Sequence, residues 1–211
     1  MFEIEYKGAN SVIISTKKAK LVVDPKLSLV GMKDVSVKDA VELVTEERFA
    51  VNDPDATLLI DGPGEYGVAG FDIRGIPARR SIDAENEGML STIYRVEIGE
   101  TRIGIIGNID KKLSDEQLES LGVLDILILP VGGNGYTLDS ADAASLVGAI
   151  DPKIVIPIHY ADSALKYEVP QDNLKLFITE MGVPVETVAK YKQKQLLAGP
   201  ATLSVVEITR S

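Results

Sequence analysis

Two runs in the second half of the chain constrain the fold more than anything else in it. Asp125-Ile126-Leu127-Ile128-Leu129-Pro130-Val131 and Lys153-Ile154-Val155-Ile156-Pro157-Ile158-His159 are almost wholly apolar and do not alternate. A strand wetted on one face alternates apolar and polar side chains, so these runs predict strands covered on both faces, as in parallel sheets flanked by helices. Between them Asp139 is positioned to cap a helix through Ile150, with Ala143, Leu146 and Val147 facing inward, and Asp151-Pro152 ends it.

The rest of the chain supplies more strands. Phe2 to Tyr6 alternates with period two, and Ser11 to Ser15 and Lys20 to Val23 predict a hairpin about the Thr16-Lys17-Lys18 turn. Asp24-Pro25 stops the third strand. Ser36 is read as the cap of a helix through about Arg48, with Val37, Val41 and Val44 on one face. Asp55 to Ile60 is an apolar run that ends in the turn-rich Asp61-Gly62-Pro63-Gly64-Glu65-Tyr66. Gly70 to Pro77 and Leu90 to Glu97 read as strands around the polar loop Arg79 to Gly88, and Gly99-Glu100 turns the chain into Thr101 to Ile106. Ser114-Asp115-Glu116-Gln117 fits a capping box and Gly122 closes that short helix. Gln171 to Met181 predicts a helix between Pro170 and Gly182, and Thr202 to Ile208 a last strand after the Gly199-Pro200 turn.

This order, strand-rich first and alternating later, predicts an α/β (α+β) protein folded as a four-layer αββα sandwich in a single domain over residues 1–211. A doubly wound single sheet is the rival; the early hairpin and the late terminal strand favour the sandwich.

Composition narrows the chemistry. The net charge of −10 repels phosphate backbones and anionic bilayers, so neither nucleic acid nor membrane is an expected partner. There is no cysteine, which excludes disulfides, a thiol nucleophile and thiolate zinc ligands, and there is one histidine, His159. The N-terminal residues lack a basic and an apolar region, and no run approaches the ~18 apolar residues of a membrane span, so a cytoplasmic location is expected. Gly132-Gly133-Asn134-Gly135 lacks the pattern of a phosphate loop and reads as a tight turn; Ser145 lacks the G-x-S-x-G setting of a serine hydrolase.

Ligands in α/β sheets bind in loops past the carboxyl ends of strands. Four such loops stand out: Asp61 to Tyr66, Gly107 to Asp110, Gly132 to Tyr136 and His159 to Asp162. His159 is read either as a ligand or general base, or as a structural histidine with its bonds satisfied. The segment Asp162 to Val169, with Tyr167 and Glu168, is either a flap over that cleft or a plain connection to the next helix.

Several of these stretches, in order, resemble the metallo-β-lactamase superfamily. They are Asp61 to Tyr66, Ile73-Arg74-Gly75-Ile76-Pro77, Gly107-Asn108-Ile109, Leu113 to Glu119, Asp125 to Gly133, Tyr136 to Asp139 and Pro152 to Tyr160. The similarity spans roughly residues 1 to 160 and points to a small branch of predicted hydrolases similar to ascorbate-phosphate lactonases. The resemblance places Thr45-Glu46-Glu47-Arg48-Phe49-Ala50-Val51 where active members carry T-H-x-H-x-D-H. Arg79 or Arg80 falls near the next histidine of that family, Asn108 replaces its bridging aspartate, and His159 retains its last histidine.

A two-zinc site needs several imidazoles and carboxylates to hold the metals whose bound water attacks. The resemblance therefore implies a degenerate, non-catalytic member without zinc, with at most weak Mg²⁺ or Mn²⁺ held by Glu46, Glu47, Asp61 or Asp110. Its former cleft, lined by Glu46, Arg48, Arg79, Arg80, Asn108, His159 and Tyr160, would bind a small, anionic molecule or a protein partner, the arginines otherwise pairing with Glu46, Glu47 or Asp83. The alternative is a hydrolase of esters, lactones or phosphoesters with an altered or metal-free site in which His159 is the general base. Homo-oligomerisation through a sheet edge or outer helix is a third reading.

Overall fold

The computed structural model describes residues 1–83, 88–193 and 202–211. Part of the polar loop Arg79 to Gly88, residues 84–87, and the expected Gly199-Pro200 turn lie outside the described residues.

Two sheets face each other. The first has six strands in the order β13-β1-β2-β3-β4-β5, where β1 is Phe2–Gly8, β2 Ser11–Thr16, β3 Lys20–Val23, β4 Val41–Leu43, β5 Leu58–Ile60 and β13 Tyr191–Gln193. The second has eight in the order β12-β14-β11-β10-β9-β8-β7-β6, where β6 is Gly64–Val68, β7 Phe71–Ala78, β8 Ser91–Ile98, β9 Thr101–Ile105, β10 Ile126–Pro130, β11 Ile154–Ile158, β12 Val185–Val188 and β14 Ser204–Ile208. β9, β10, β11, β14 and β12 run parallel, as do β3, β4 and β5; the remaining pairs are antiparallel.

The two apolar runs are covered on both faces, as their lack of alternation requires. Ile126, Ile128, Ile154 and Ile156 point into the layer between the sheets, among Ile4, Tyr6, Leu21 and Leu43. Leu127, Leu129 and Val155 point the other way, toward Leu146, Val147 and Phe177. Those belong to α2 (Ser140–Ile150) and α3 (Leu174–Met181), which with α1 (Asp115–Leu121) cover the outside of the eight-stranded sheet. Each aliphatic side chain sealed in this way contributes roughly 1.5–3 kcal/mol. The caps fall where the sequence places them: Ser114 and Gln117 form the capping box of α1, and Asp139 accepts from the backbone of Asp142 to start α2. Asn173 caps α3, so this helix begins later than Gln171.

The outer face of the six-stranded sheet differs from expectation. The helix expected from Ser36 to Arg48 is replaced by an irregular segment, β4 and a short 3-10 turn, Glu47–Phe49. Its three valines mimic helical spacing but serve different layers: Val37 packs outside with Val22 and Ala40, Val41 packs between the sheets, and Val44 packs with Phe49 and Ala50. Asp39 has φ 55°, which breaks any helix there. No helix among the described residues is long and apolar enough to cross a membrane.

Candidate functional site

The parallel strands of both sheets end at the same side of the sandwich, and the polar side chains meet there. The approach is close because of Gly107: a Cβ at that position would stand 2.7 Å from the Thr45 side chain just past β4. The backbone of Thr92 and the hydroxyl of Ser91, on β8 of the other sheet, donate to the Thr45 carbonyl at 2.8 and 3.1 Å, which locks the two sheets together at this edge.

His159 follows β11 directly and takes φ 50°, a left-handed conformation that costs a side-chain-bearing residue roughly 1 kcal/mol or more. The turn is held by its N–H, which donates to the Ala9 carbonyl at 2.9 Å and lies 3.2 Å from the Tyr6 hydroxyl. It aims the ring between Tyr167, at 4.9 Å centroid distance, and Tyr136, at 5.8 Å. Nδ1 lies 2.8 Å from Asn10 Oδ1. Asn10 in turn donates through Nδ2 to Asn108 Oδ1 at 3.1 Å, so its Oδ1 must accept and Nδ1 of the histidine carries the proton. Nε2 is then a bare lone pair. It is buried, has no hydrogen-bond partner among the described residues, and belongs to a residue lining a cavity of about 200 Å³. Burial, with the nearby Arg48 charge, pushes the His159 pKa down to about 3, so the ring is neutral at physiological pH.

Behind the ring runs a chain of polar side chains. Asn108 Nδ2 donates to Glu46 Oε1 at 3.4 Å. The Glu46 carboxylate, 2% exposed, pairs with Arg48 Nε at 2.8 Å and Arg80 Nη1 at 3.2 Å. Arg80 also holds Asp83 at 2.5 Å. Arg48 extends from this cluster into the cavity, donates to the Tyr136 hydroxyl at 2.5 Å, and lies over the rings of Phe49 and Tyr136 at 4.8 and 5.3 Å.

Of the residues singled out from the sequence, Glu46, Arg48, Arg80, Asn108 and His159 thus form one connected network. Arg79 is half-buried beside it, its carbonyl accepting from the Asp110 N–H at 2.8 Å. Tyr160 points the other way, its ring 5.7 Å from Tyr6 in the core. Tyr167, Glu168 and Val169 line the cavity, which makes that segment a wall of the cleft.

Two contributors escaped sequence reasoning. Asn10 sits in the β1–β2 turn, whose only signal was its polarity. Asp24 was read as a strand stop. It lines the cavity with φ 44°, 3% exposed, and accepts from Thr45 N at 2.7 Å and Thr45 Oγ1 at 2.7 Å. Burial pushes its pKa up to about 8, so it is largely protonated at neutral pH.

A sequence profile for the β-lactamase superfamily domain matches residues 3–159. A UPF0173 metal-dependent hydrolase of Thermus thermophilus is 27% identical over 191 residues, which covers 76% of this chain and 84% of the relative. Among solved structures, a proposed Zn-dependent hydrolase of the metallo-β-lactamase superfamily from Thermotoga maritima superposes with a TM-score of 0.79 at 19% identity, covering 99% of this chain and 100% of the other. Igni18, a metallo hydrolase from Ignicoccus hospitalis, gives a TM-score of 0.67 at 15% identity, covering 99% and 95%.

These relatives correct the expectations of a degenerate, non-catalytic pseudoenzyme and of a chain without cofactor: the homologue is named a metal-dependent hydrolase. Counting imidazoles and thiols was the wrong measure. Hydrolysis asks for an oriented water, an acceptor for its proton and donors for an oxyanion, and hard cations take oxygen ligands that such a count omits. The residues present nonetheless do not fit a two-zinc donor set. His159 Nε2 is an unengaged nitrogen donor, but Glu46 is held by two arginines and Asp24 by Thr45. Glu47, Asp61 and Asp110 are exposed, and no three His, Cys, Asp or Glu side chains converge as a metal site among the described residues. With the profile spanning both sheets and the two-layered strand architecture matching that of the metallohydrolases, the chain is a member of the metallo-β-lactamase superfamily.

Proposed function

We propose that this protein is a hydrolase of small esters, lactones or phosphoesters, acting at the cleft beneath His159. One observation carries the reading: a buried imidazole whose Nδ1–H is anchored by an amide, whose Nε2 lone pair has no partner among the described residues, and which borders a cavity. A merely structural histidine, buried to this degree, would have both nitrogens satisfied.

The chemistry follows from the neighbours. Nε2 accepts a hydrogen bond from a water and aligns it. As that water adds to the carbonyl or phosphoryl centre, its proton passes to Nε2. The Arg48 guanidinium, braced by Glu46 and Tyr136, is pre-oriented toward the developing oxyanion. The bond to the leaving oxygen then breaks, and Nε2 returns the proton to it, so that an ester and water give an acid and an alcohol. Burial keeps the ring neutral, so Nε2 is unprotonated and open to the water between turnovers.

The test is a panel of aryl esters, lactones and phosphoesters, assayed with chelator and with added divalent metal. Hydrolysis of at least one class should fall ~100-fold or more in His159→Asn, a variant whose side chain tolerates the left-handed backbone at this position. Undiminished turnover in a folded His159→Asn protein would end the reading.

A further inference from the structure

The cavity at His159 is chemically lopsided, and this bears on which of the three substrate classes it takes. Its apolar and aromatic lining includes Leu27, Val30, Phe49, Tyr136, Tyr167 and Val169. Its volume of about 200 Å³ is below the roughly 300–1,000 Å³ of pockets that hold drug-sized ligands, so the occupant is small.

Charge within it is already balanced. Arg48, the cation nearest the imidazole, is matched by Glu46 at 2.8 Å. Lys26 and Glu168, also lining the cavity, carry opposite signs. Arg80, expected from the sequence to meet an anion, lies behind the cavity wall and is bound by Glu46 and Asp83. Asp24 adds no positive charge, and burial favours its uncharged form. A phosphoester entering here would give up its hydration against a mostly apolar lining, with Arg48 already paired to Glu46 and Lys26 offset by the Glu168 charge, and burying an incompletely paired charge is costly. An acyl chain would instead replace water against six apolar side chains.

Resting on the hydrolase reading above, we infer that the substrate is a small uncharged carboxylic ester or lactone whose apolar acyl group lies against Leu27, Val30, Phe49 and Tyr167. Water adds to its acyl carbon, the acyl C–O bond breaks, and a carboxylic acid and an alcohol leave, with no further reactant.

The experiment compares p-nitrophenyl acetate, butyrate and phosphate as substrates. In parallel, it measures binding of p-nitrobutyranilide, a poorly cleaved amide of the same shape, and of phenyl phosphate by calorimetry. The expected result is a kcat/KM for butyrate several-fold above acetate and at least ~100-fold above the phosphate. Val30→Asp, which places a carboxylate on the apolar wall, should raise KM for butyrate about tenfold and lower the butyrate-to-acetate ratio of kcat/KM several-fold. Preferential hydrolysis or binding of the phosphate overturns the inference and leaves the hydrolase reading standing. Binding of the anilide that Val30→Asp weakens, without turnover of any ester, sinks the hydrolase reading and upholds the selectivity of the cavity. Failure of the anilide to bind, with acetate and butyrate cleaved equally, overturns the inference.

Discussion

Asp24 and Asp125 are both aspartates at the end of a core strand, 3% and 4% exposed, yet they are in opposite states. Asp125 precedes β10 at the far end of the sandwich from His159. Burial pushes its pKa up, but the side-chain and backbone bonds from Arg102 at 3.0–3.1 Å, with Lys153 at 3.0 Å, more than offset it and leave the carboxylate ionised. Asp24 follows β3 at the cavity, has only Thr45 as donor among the described residues, and is held largely protonated. Similar exposure, with deeper burial and fewer partners at Asp24, separates an end of the molecule that is tied shut from an end that keeps polar groups under-satisfied. The second arrangement costs stability and is found where chemistry is done.

The contrast can be broken in four ways. The largest effect belongs to the cavity end: His159→Asn should lower ester hydrolysis ~100-fold or more while shifting the thermal midpoint little, and a large midpoint shift with full activity would reverse the assignment. At the closed end, Asp125→Ala removes the partner of two cations and should destabilise by about 3 kcal/mol in urea unfolding, with turnover per folded molecule unchanged. Third is a pH test on Asp24. Its raised pKa makes stability fall as pH rises from the unfolded value of 3.8 toward about 8, because only the unfolded state ionises in that window. His159 acts in the opposite sense: its depressed pKa makes stability fall as pH drops from 6.5 toward about 3. Between pH 6.5 and 8 Asp24 therefore acts without His159, and wild type should lose about 2 kcal/mol that Asp24→Asn does not lose. The smallest effect is a control outside both ends: Ser114→Ala opens the capping box of α1 and should cost about 1 kcal/mol, independent of pH in this range.

What could be read from the sequence was what depends on near neighbours. The capping box needs only Ser114 and Gln117, and the doubly covered strands need only an unbroken apolar run, so both stand where they were expected. Val37, Val41 and Val44 misled because spacing alone does not say which layer a side chain joins, and here a sheet places three valines in three clusters. At the site, the resemblance brought Glu46, Arg48, Arg80 and Asn108 to His159. Asn10 and Asp24 stayed hidden because their roles arise from contacts 149 and 21 residues apart in sequence, His159 for the one and Thr45 for the other. No local pattern encodes the tautomer of a ring that an amide so distant decides.

β14 has a consequence for how the molecule is made. It is threaded between β12 and β11, pairing Val205 with both Val185 and Val155, and the Ser211 N–H just beyond it reaches the Tyr6 carbonyl at 3.1 Å. During synthesis, every partner of this strand emerges before it does. Until residue 208 clears the ribosome, β11 presents an open, strongly apolar border, the kind of edge that invites foreign strands. Closure of that border therefore waits on β14, the last of the sheet's described strands to emerge, and the eight-stranded sheet is finished from its middle and not from its rim.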